Sequence, residues 1–312
     1  MRILIIENLR AGLGEGGLYD VVRELGRRGA EVTMRFLTDE SGDLQTLLAD
    51  ATSFDRVIAA GGDGTISAIT YHLRNTGVPI VPYPAGTANL LAANLRMPWD
   101  PLQVAELTMR GTPVRVDLGE LRCDSACFAG GSKTTGFVIM AGAGFDATIM
   151  AGAAELKQSL GVGAYFLSVF GNLTPTHAHF RLTLDDEVVE TEGIAVILVN
   201  FARIQFDLAV THNSDAQDGL LEVVVVRSKT VAGLLPAVWA ALLDRIWEHA
   251  DRSPSLEIHS ARRIRIESDP PLPIQFDGEP AGAMTPIEAV VLPAAATIVA
   301  PSESSVRPND EY

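Results

Sequence analysis

The sequence is short of cysteine, of basic charge and of long apolar runs, and each shortage excludes something. Cys123 and Cys127 are its only cysteines. Four residues apart, with no second cysteine or histidine cluster beside them, they make a poor zinc site. Reduced, partly buried thiols in a cytoplasmic protein are expected instead. Lysine and arginine together number 24 against 39 acidic residues, a formal charge of −15. Duplex phosphate backbones need basic surface, so this balance argues against a nucleic-acid partner. It also disfavours electrostatic adhesion to anionic membranes. No stretch approaches the roughly twenty apolar residues of a spanning helix. The opening Met1-Arg2-Ile3-Leu4-Ile5-Ile6-Glu7-Asn8 has too short an apolar core for a signal peptide and reads as a first strand. The six histidines are scattered without ligand spacing, and no internal repeat or low-complexity run is visible.

What is present is a globular composition, 47% apolar and 20% charged over 312 residues. That is enough to bury one large core or two medium ones. The chain is organised around Val57-Ile58-Ala59-Ala60-Gly61-Gly62-Asp63-Gly64-Thr65, a buried strand ending in a glycine-rich turn, with helix-compatible spacing after it. Glycines without Cβ let backbone approach a ligand closely. The amides and positive dipole end of a starting helix favour an anion such as phosphate. Asp63, itself an anion, then calls for a cation or a donor nearby. A plain strand-to-helix turn with Asp63 as a cap is the simpler alternative. Ile80-Val81-Pro82 reads as another strand, and Pro84-Ala85-Gly86-Thr87-Ala88-Asn89 opens a helix running to Asn94. Two such strand ends suggest one crevice at the carboxyl edge of a parallel sheet.

Strand and helix alternate from Arg2 to Asn94: strands at 2–7 and 31–37, helical spacing through Leu18, Val21, Val22 and Leu25 and again at 42–49. This pattern implies right-handed βαβ units. Gly12-Leu13-Gly14-Glu15-Gly16-Gly17 matches the dinucleotide fingerprint, but its first glycine comes several residues after the strand, where the fingerprint turns at once. From about residue 112 the texture changes to apolar alternation, the mark of antiparallel strands. Strands are expected at 137–141, 180–184, 188–190, 194–200, 220–226, 258–266 and 274–276, with a helix at 231–247. Residues 160–173 form an almost all-round apolar helix, either core or a wall for an apolar acceptor. The fold class is therefore α/β with two domains: a parallel-sheet domain at 1–120 and a mainly antiparallel β domain at 121–300. A polar tail at 301–312 is expected to be disordered.

The pair Gly61-Gly62-Asp63-Gly64-Thr65 and Pro84-x-Gly86-Thr87-Ala88-Asn89 resembles the catalytic domain of diacylglycerol kinases, a superfamily that includes sphingosine kinases and bacterial lipid kinases. The resemblance implies a nucleotide-binding α/β domain, a β-rich domain completing the lipid site, and ATP with Mg2+ as the phosphoryl donor. It assigns nucleotide contacts to Asn8 and Gly12 in the first loop, to Thr38 after the second strand, and to Gly61, Gly62, Asp63, Gly64, Thr65, Gly86, Thr87 and Asn89. Two departures stand out. The first loop is Asn8-Leu9-Arg10-Ala11-Gly12 where the family has Asn-Pro-x-Ser-Gly, and Leu90 stands where many members carry aspartate. Gly142-Ala143-Gly144-Phe145-Asp146-Ala147 is similar to a further segment of the family.

Two later segments complete the set. Ser214-Asp215-Ala216-Gln217-Asp218-Gly219-Leu220 carries two carboxylates three residues apart, able to converge on a hard cation or simply to form a solvated Asp-Gly turn. The resemblance makes Asp215, Asp218 and the carbonyl of Leu220 ligands of a magnesium. Phe276-Asp277-Gly278-Glu279 reads on pattern alone as a hairpin turn. The resemblance places a functional glutamate there, so Glu279 and Asp63 are the expected catalytic residues, with Glu279 as proton acceptor. The expected activity is ATP-dependent phosphorylation of a lipid with a free hydroxyl, diacylglycerol or a relative. A soluble kinase similar to NAD kinases and a catalytically silent nucleotide-binding protein are the alternatives. A cytoplasmic location with transient membrane-surface contact follows, and whether the chain forms a homodimer is open.

Overall fold

The structure is a computed structural model that describes residues 1–10, 17–38, 44–86, 88–124, 127–128, 131–144, 176–201, 203–204, 208–209, 215–227, 256–302, 304 and 306. The expected helices at 160–173 and 231–247, the site residues Gly12 and Thr87, and Phe145-Asp146-Ala147 lie outside them. Its packing divides the chain into two units. One holds Met1–Leu118, Asp215–Asp218 and the residues from Leu292 onward; the other holds Gly119–Ser214 and Gly219–Val291.

In the first unit, β1 (Arg2–Asn8), α1 (Gly17–Arg27), β2 (Glu31–Leu37), α2 (Leu44–Leu47), β3 (Arg56–Gly61), α3 (Asp63–His72) and β4 (Pro79–Pro84) follow in alternation. The strands are parallel in the order β2-β1-β3-β4. The centre is continuous apolar sequence, as a strand covered on both faces requires: Ile3, Leu4, Ile5 and Ile6 of β1 are fully buried, and so are Val57, Ile58 and Ala59 of β3. Helix α1 closes one face with Leu18, Val21 and Leu25, three or four residues apart. Then come α4 (Leu90–Asn94), α5 (Pro101–Arg110) and the first part of β5 (Pro113–Arg122). Helix α5 is absent from the sequence reading, although it carries clear end signals. Asp100 accepts the amides of Leu102 and Gln103 as N-cap and Pro101 stands first in the helix. At its other end the Arg56 guanidinium donates to the carbonyls of Leu107 and Gly111.

The second unit is a β sandwich. The rest of β5 pairs with β6 (Thr134–Phe137). Strands β7 (Met140–Ala143), β8 (Ala178–Leu184), β9 (Glu187–Gly193), β10 (Ala195–Val199) and the short β11 (Arg203–Ile204) and β12 (Leu208–Ala209) come next. After them come β13 (Leu221–Val226), β14 (Leu256–Ala261), β15 (Arg263–Asp269), β16 (Pro273–Phe276), β17 (Glu279–Met284) and β18 (Ile287–Val299). One antiparallel sheet runs β14-β13-β10-β7-β16-β17; in the other, β15 lies between β8 and the start of β18, with β9 outside β8. Alternate residues of both sheets meet in a single core, Phe180 and Leu182 from β8 with Val196 and Leu198 from β10 and Val223 and Val225 from β13.

Three expectations are corrected. The strand expected at 258–266 is two strands broken at Arg262, where the Arg262 and Arg263 amides both donate to Asp185, the turn residue between β8 and β9. In the expected tail Ser304 and Val306 are buried, Val306 at 2% exposed, and the Ser304 hydroxyl donates to the Val306 carbonyl. Cys123 and Cys127 form a disulfide, their Cα atoms 6.3 Å apart. The chain doubles back there: the amides of Cys123 and Cys127 donate to the carbonyls of Lys133 and Ser132, which brings the two thiols within bridging range.

Candidate functional site

The carboxyl edge of the parallel sheet brings three expected segments together. Asn8 ends β1, and its amide donates to the Thr65 hydroxyl at 2.7 Å in the first turn of α3; its oxygen accepts the Arg10 amide. Gly61 ends β3 under Thr65, where a Cβ would lie 2.6 Å from that threonine's own Cβ. The turns after β3 and β4 touch backbone to backbone: a Cβ on Gly86 would stand 2.5 Å from the Gly62 Cα. Only glycine permits that approach. The Ala85 amide donates to the Gly61 carbonyl, tying the two strand ends.

Asp63 fastens these turns. It opens α3, yet its carboxylate caps a different helix: one oxygen accepts the Leu90 amide at 2.9 Å and the other the Leu91 amide at 3.0 Å. The donors that the sequence demanded are therefore backbone amides at the start of α4. Burial pushes the Asp63 pKa up, against the downward pull of the bonds from Leu91, Leu90 and Asn89. Asn89, in the left-handed region at φ 50°, closes the second loop on itself. Its oxygen accepts the Gly86 amide at 2.9 Å and its amide donates to the Gly86 carbonyl at 2.7 Å. With Asp63 capping α4, no side chain among the described residues caps the start of α3. Its first intrahelical bond runs from Ile66 to Gly62, so the Asp63, Gly64 and Thr65 amides precede the ladder and can take an anion. Thr38 is half-buried just after β2, the strand beside β1 at the same edge.

The segment 215–218 packs in this unit too. Ala216 accepts the Asp117 amide at 2.7 Å, and the Gln217 side chain donates to the Arg115 carbonyl. Asp215 and Asp218 are exposed; one Asp215 oxygen accepts the Gln217 amide and its carbonyl the Asp218 amide. Among the described residues no three His, Cys, Asp or Glu side chains form a metal-holding group. The donor set still suits a hard cation, since both carboxylates face solvent and every candidate ligand atom is oxygen. Sequence reading missed Asp117, 1% exposed on β5, whose carboxylate accepts the Ala294 amide at 2.6 Å. No local motif marks it, because its partners Ala216 and Ala294 are distant in the chain.

In the second unit Glu279 is exposed at the start of β17, opposite Phe276. The turn that presents it has Asp277 at φ 45° and Gly278 at φ 86°, the two positive values of a tight hairpin turn. Asp277 is 5% exposed, and its carboxylate accepts three successive amides, those of Val138 and Ile139 at 2.8 Å and Met140 at 3.0 Å. Its own amide donates to the Met140 carbonyl. The pattern reading gave Asp277 only a turn role; it is also the bolt that fixes Glu279's hairpin to β7.

Comparison with known proteins follows the same division. Residues 2–121 match the family described as the diacylglycerol kinase catalytic domain, and residues 139–300 the YegS C-terminal NAD kinase beta sandwich-like domain. A protein of Xanthomonas campestris named "Probable lipid kinase YegS-like" is 31% identical over 84% of this chain and 85% of its own length. An uncharacterised Synechocystis protein is 29% identical over 80% of this chain, which spans 55% of that longer protein. A crystal structure of a diacylglycerol kinase from Bacillus anthracis has the same fold, with a TM-score of 0.73 at 22% identity over 96% of both chains.

Proposed function

The chain belongs to the diacylglycerol kinase catalytic-domain family of lipid kinases, and from that premise we propose that it transfers the γ-phosphate of ATP to the hydroxyl of a membrane lipid, diacylglycerol or a close relative. The observation that carries this reading is the clamp between Asp63 and the start of α4, which leaves the Asp63, Gly64 and Thr65 amides for phosphate. Asn8, Thr38, Gly86 and Asn89 lie at the same sheet edge and hold the rest of the nucleotide. Gly12 and Thr87 are assigned to it by the family motif alone.

In the transfer, the lipid oxygen bonds to the γ-phosphorus as the bond from that phosphorus to the β,γ-bridging oxygen breaks, and ADP leaves. The acceptor's proton passes to the carboxylate of Glu279. Little covalent help is needed, because positioning and charge neutralisation lower most of the barrier. Asp215 and Asp218, with the carbonyl of Leu220, would hold a magnesium ion that braces the site more than it touches ATP. Asp63 acts by fixing the phosphate-binding turn.

No helix among the described residues is long and apolar enough to cross a membrane. A cytoplasmic protein that visits the bilayer surface suits the activity. The test is transfer of labelled phosphate from ATP into an extracted lipid fraction, with NAD and water-soluble alcohols in parallel. Label in lipid alone supports the reading; label in NAD, or none anywhere, overturns it.

A further inference from the structure

The loop from α4 into α5 is built for something other than water. Trp99 is 69% exposed and Leu102 56%, and the prolines Pro98 and Pro101 stiffen the backbone that presents them. Two large apolar side chains within four residues at an open surface indicate a partner. Beside them lies an open cavity of about 620 Å3 lined by Pro98, by Gln103, Leu107 and Arg110 of α5, and by Ala300 and Val306.

Charges of both signs stand around this cavity. Glu106 is held by Arg28 and by Arg110 at 3.0 Å. One oxygen of Asp100 accepts the amides of Leu102 and Gln103, and the exposed carboxylate keeps its charge beside them. Arg96 also lines the cavity, is exposed, and makes no ion pair among the described residues. The Arg110 side chain, although paired, remains 80% exposed. A chain of net charge −15 thus carries two exposed guanidiniums, Arg96 and Arg110, at an apolar corner.

Indole, an aliphatic anchor and guanidinium together match the bilayer interface. Tryptophan settles at headgroup level, leucine reaches the acyl boundary, and arginine meets lipid phosphate. We infer that Trp99, Leu102, Arg96 and Arg110 form the surface by which this protein docks on bilayers carrying anionic phospholipid. The purpose of that docking rests on the lipid-kinase reading; its geometry does not. An acceptor that stays in the bilayer requires the enzyme to come to it. The docked loop is continuous through α4 with the Leu90 and Leu91 amides that Asp63 holds. The overall charge keeps adhesion weak, and two arginines with two anchors suit repeated visits.

The full chain is sedimented with vesicles of phosphatidylcholine alone and with added phosphatidylglycerol, without ATP. Wild type should bind the mixed vesicles better. Trp99→Ala with Leu102→Ala should weaken binding about tenfold or more, the worth of one or two buried apolar side chains. Arg96→Gln and Arg110→Gln should each cost about fivefold on the anionic vesicles only, the worth of a basic residue near an anionic surface. Unchanged binding in the Trp99, Leu102 double variant, or no binding by wild type, overturns the proposal. So does a double variant that changes from dimer to monomer with its vesicle binding intact, which would make the corner a contact between copies. A short-chain, water-soluble diacylglycerol separates the two readings. The double variant should phosphorylate it at the wild-type rate, and failure of wild type to do so counts against the kinase assignment while the vesicle result stands.

Discussion

Asp63 Oδ2 accepts the Leu90 amide at 2.9 Å, so the first residue of α3 caps a helix that begins 27 positions later in the chain. Asp63→Ala leaves the Leu90 and Leu91 amides buried without a partner. At about 1–3 kcal/mol for each such group, the variant should be plainly destabilised in a denaturant titration. Asp63→Asn keeps one acceptor and turns a donor toward the other amide, so a smaller loss of about 1–3 kcal/mol is expected. Phosphate transfer should fall by about 10²-fold in both, the usual cost of a misplaced binding element. Wild-type turnover in Asp63→Asn would remove this residue from the site.

The same carboxyl group gives a pH dependence with a definite sign. Burial raises the Asp63 pKa in the folded protein above its ordinary value. The folded state therefore holds this proton more tightly than the unfolded chain. Its contribution to stability is complete below the usual carboxylate range and is lost as pH rises through the raised value. The difference in melting temperature between wild type and Asp63→Asn should thus shift against wild type as pH rises from about 4 through that window, the unfolded aspartate value being ~3.9. A difference that stays flat or moves in favour of wild type would show that the amide bonds outweigh burial.

Much of this site is legible in the sequence because each part has a local cause. Gly61, Gly62 and Gly86 mark a backbone contact that no side chain can enter, and the apolar runs of β1 and β3 mark strands covered on both faces. What escapes is whatever depends on a distant partner. Asp63 reads locally as its own helix's cap, and only the fold shows that it caps α4. Asp117 and Asp277 are ordinary strand and turn residues until β5 meets Ala216 and β16 meets β7. Helix α5 was missed for a different reason: Trp99 and Leu102 lie at its exposed start and blur the apolar stripe that Val104, Ala105 and Thr108 bury.

Asp277→Ala should test the bolt behind Glu279. Three buried amides lose their acceptor together, and even partial rearrangement should cost about 3 kcal/mol or more. Asp277→Asn should recover part of that stability, since one amide oxygen can still accept. The informative readout is the ratio of losses. If Asp277 acts only through the hairpin, activity measured on the folded fraction should fall in proportion to the mobility of residues 277–279, seen as faster hydrogen exchange at Gly278. Normal exchange with activity lost would give Asp277 a direct chemical role.

Magnesium should raise the melting temperature of the wild type, since a ligand bound only by the folded state at a hundredfold its Kd stabilises by about 2.7 kcal/mol. Replacing Asp215 and Asp218 together by alanine should abolish that rise and lower activity. The Gln217 turn would lose one bond from Asp215, a surface change whose cost is small beside the metal effect. The scan is run with EDTA and with magnesium on both proteins. An identical magnesium shift in the double variant would place the ion elsewhere.

Glu279 bears the heaviest chemical assignment. It is exposed, begins β17, and follows a turn bolted by four backbone bonds through Asp277. A general base must be held in place while its oxygens stay open, and this arrangement supplies both. Glu279→Gln keeps size and polarity but cannot take a proton at neutral pH. Because the side chain is exposed and its turn is fixed by its neighbour, the variant should melt within about 0.5 kcal/mol of wild type. ATP binding should be nearly unchanged, while phosphate transfer to lipid falls by roughly 10²–10⁴-fold, the range for a positioned base. Affinity by calorimetry and transfer by labelled phosphate are measured on the same preparation. Intact transfer would remove the base assignment. Loss of ATP binding together with transfer would make Glu279 a ligand of the nucleotide or its metal, and the acceptor's proton would then have to leave by another group.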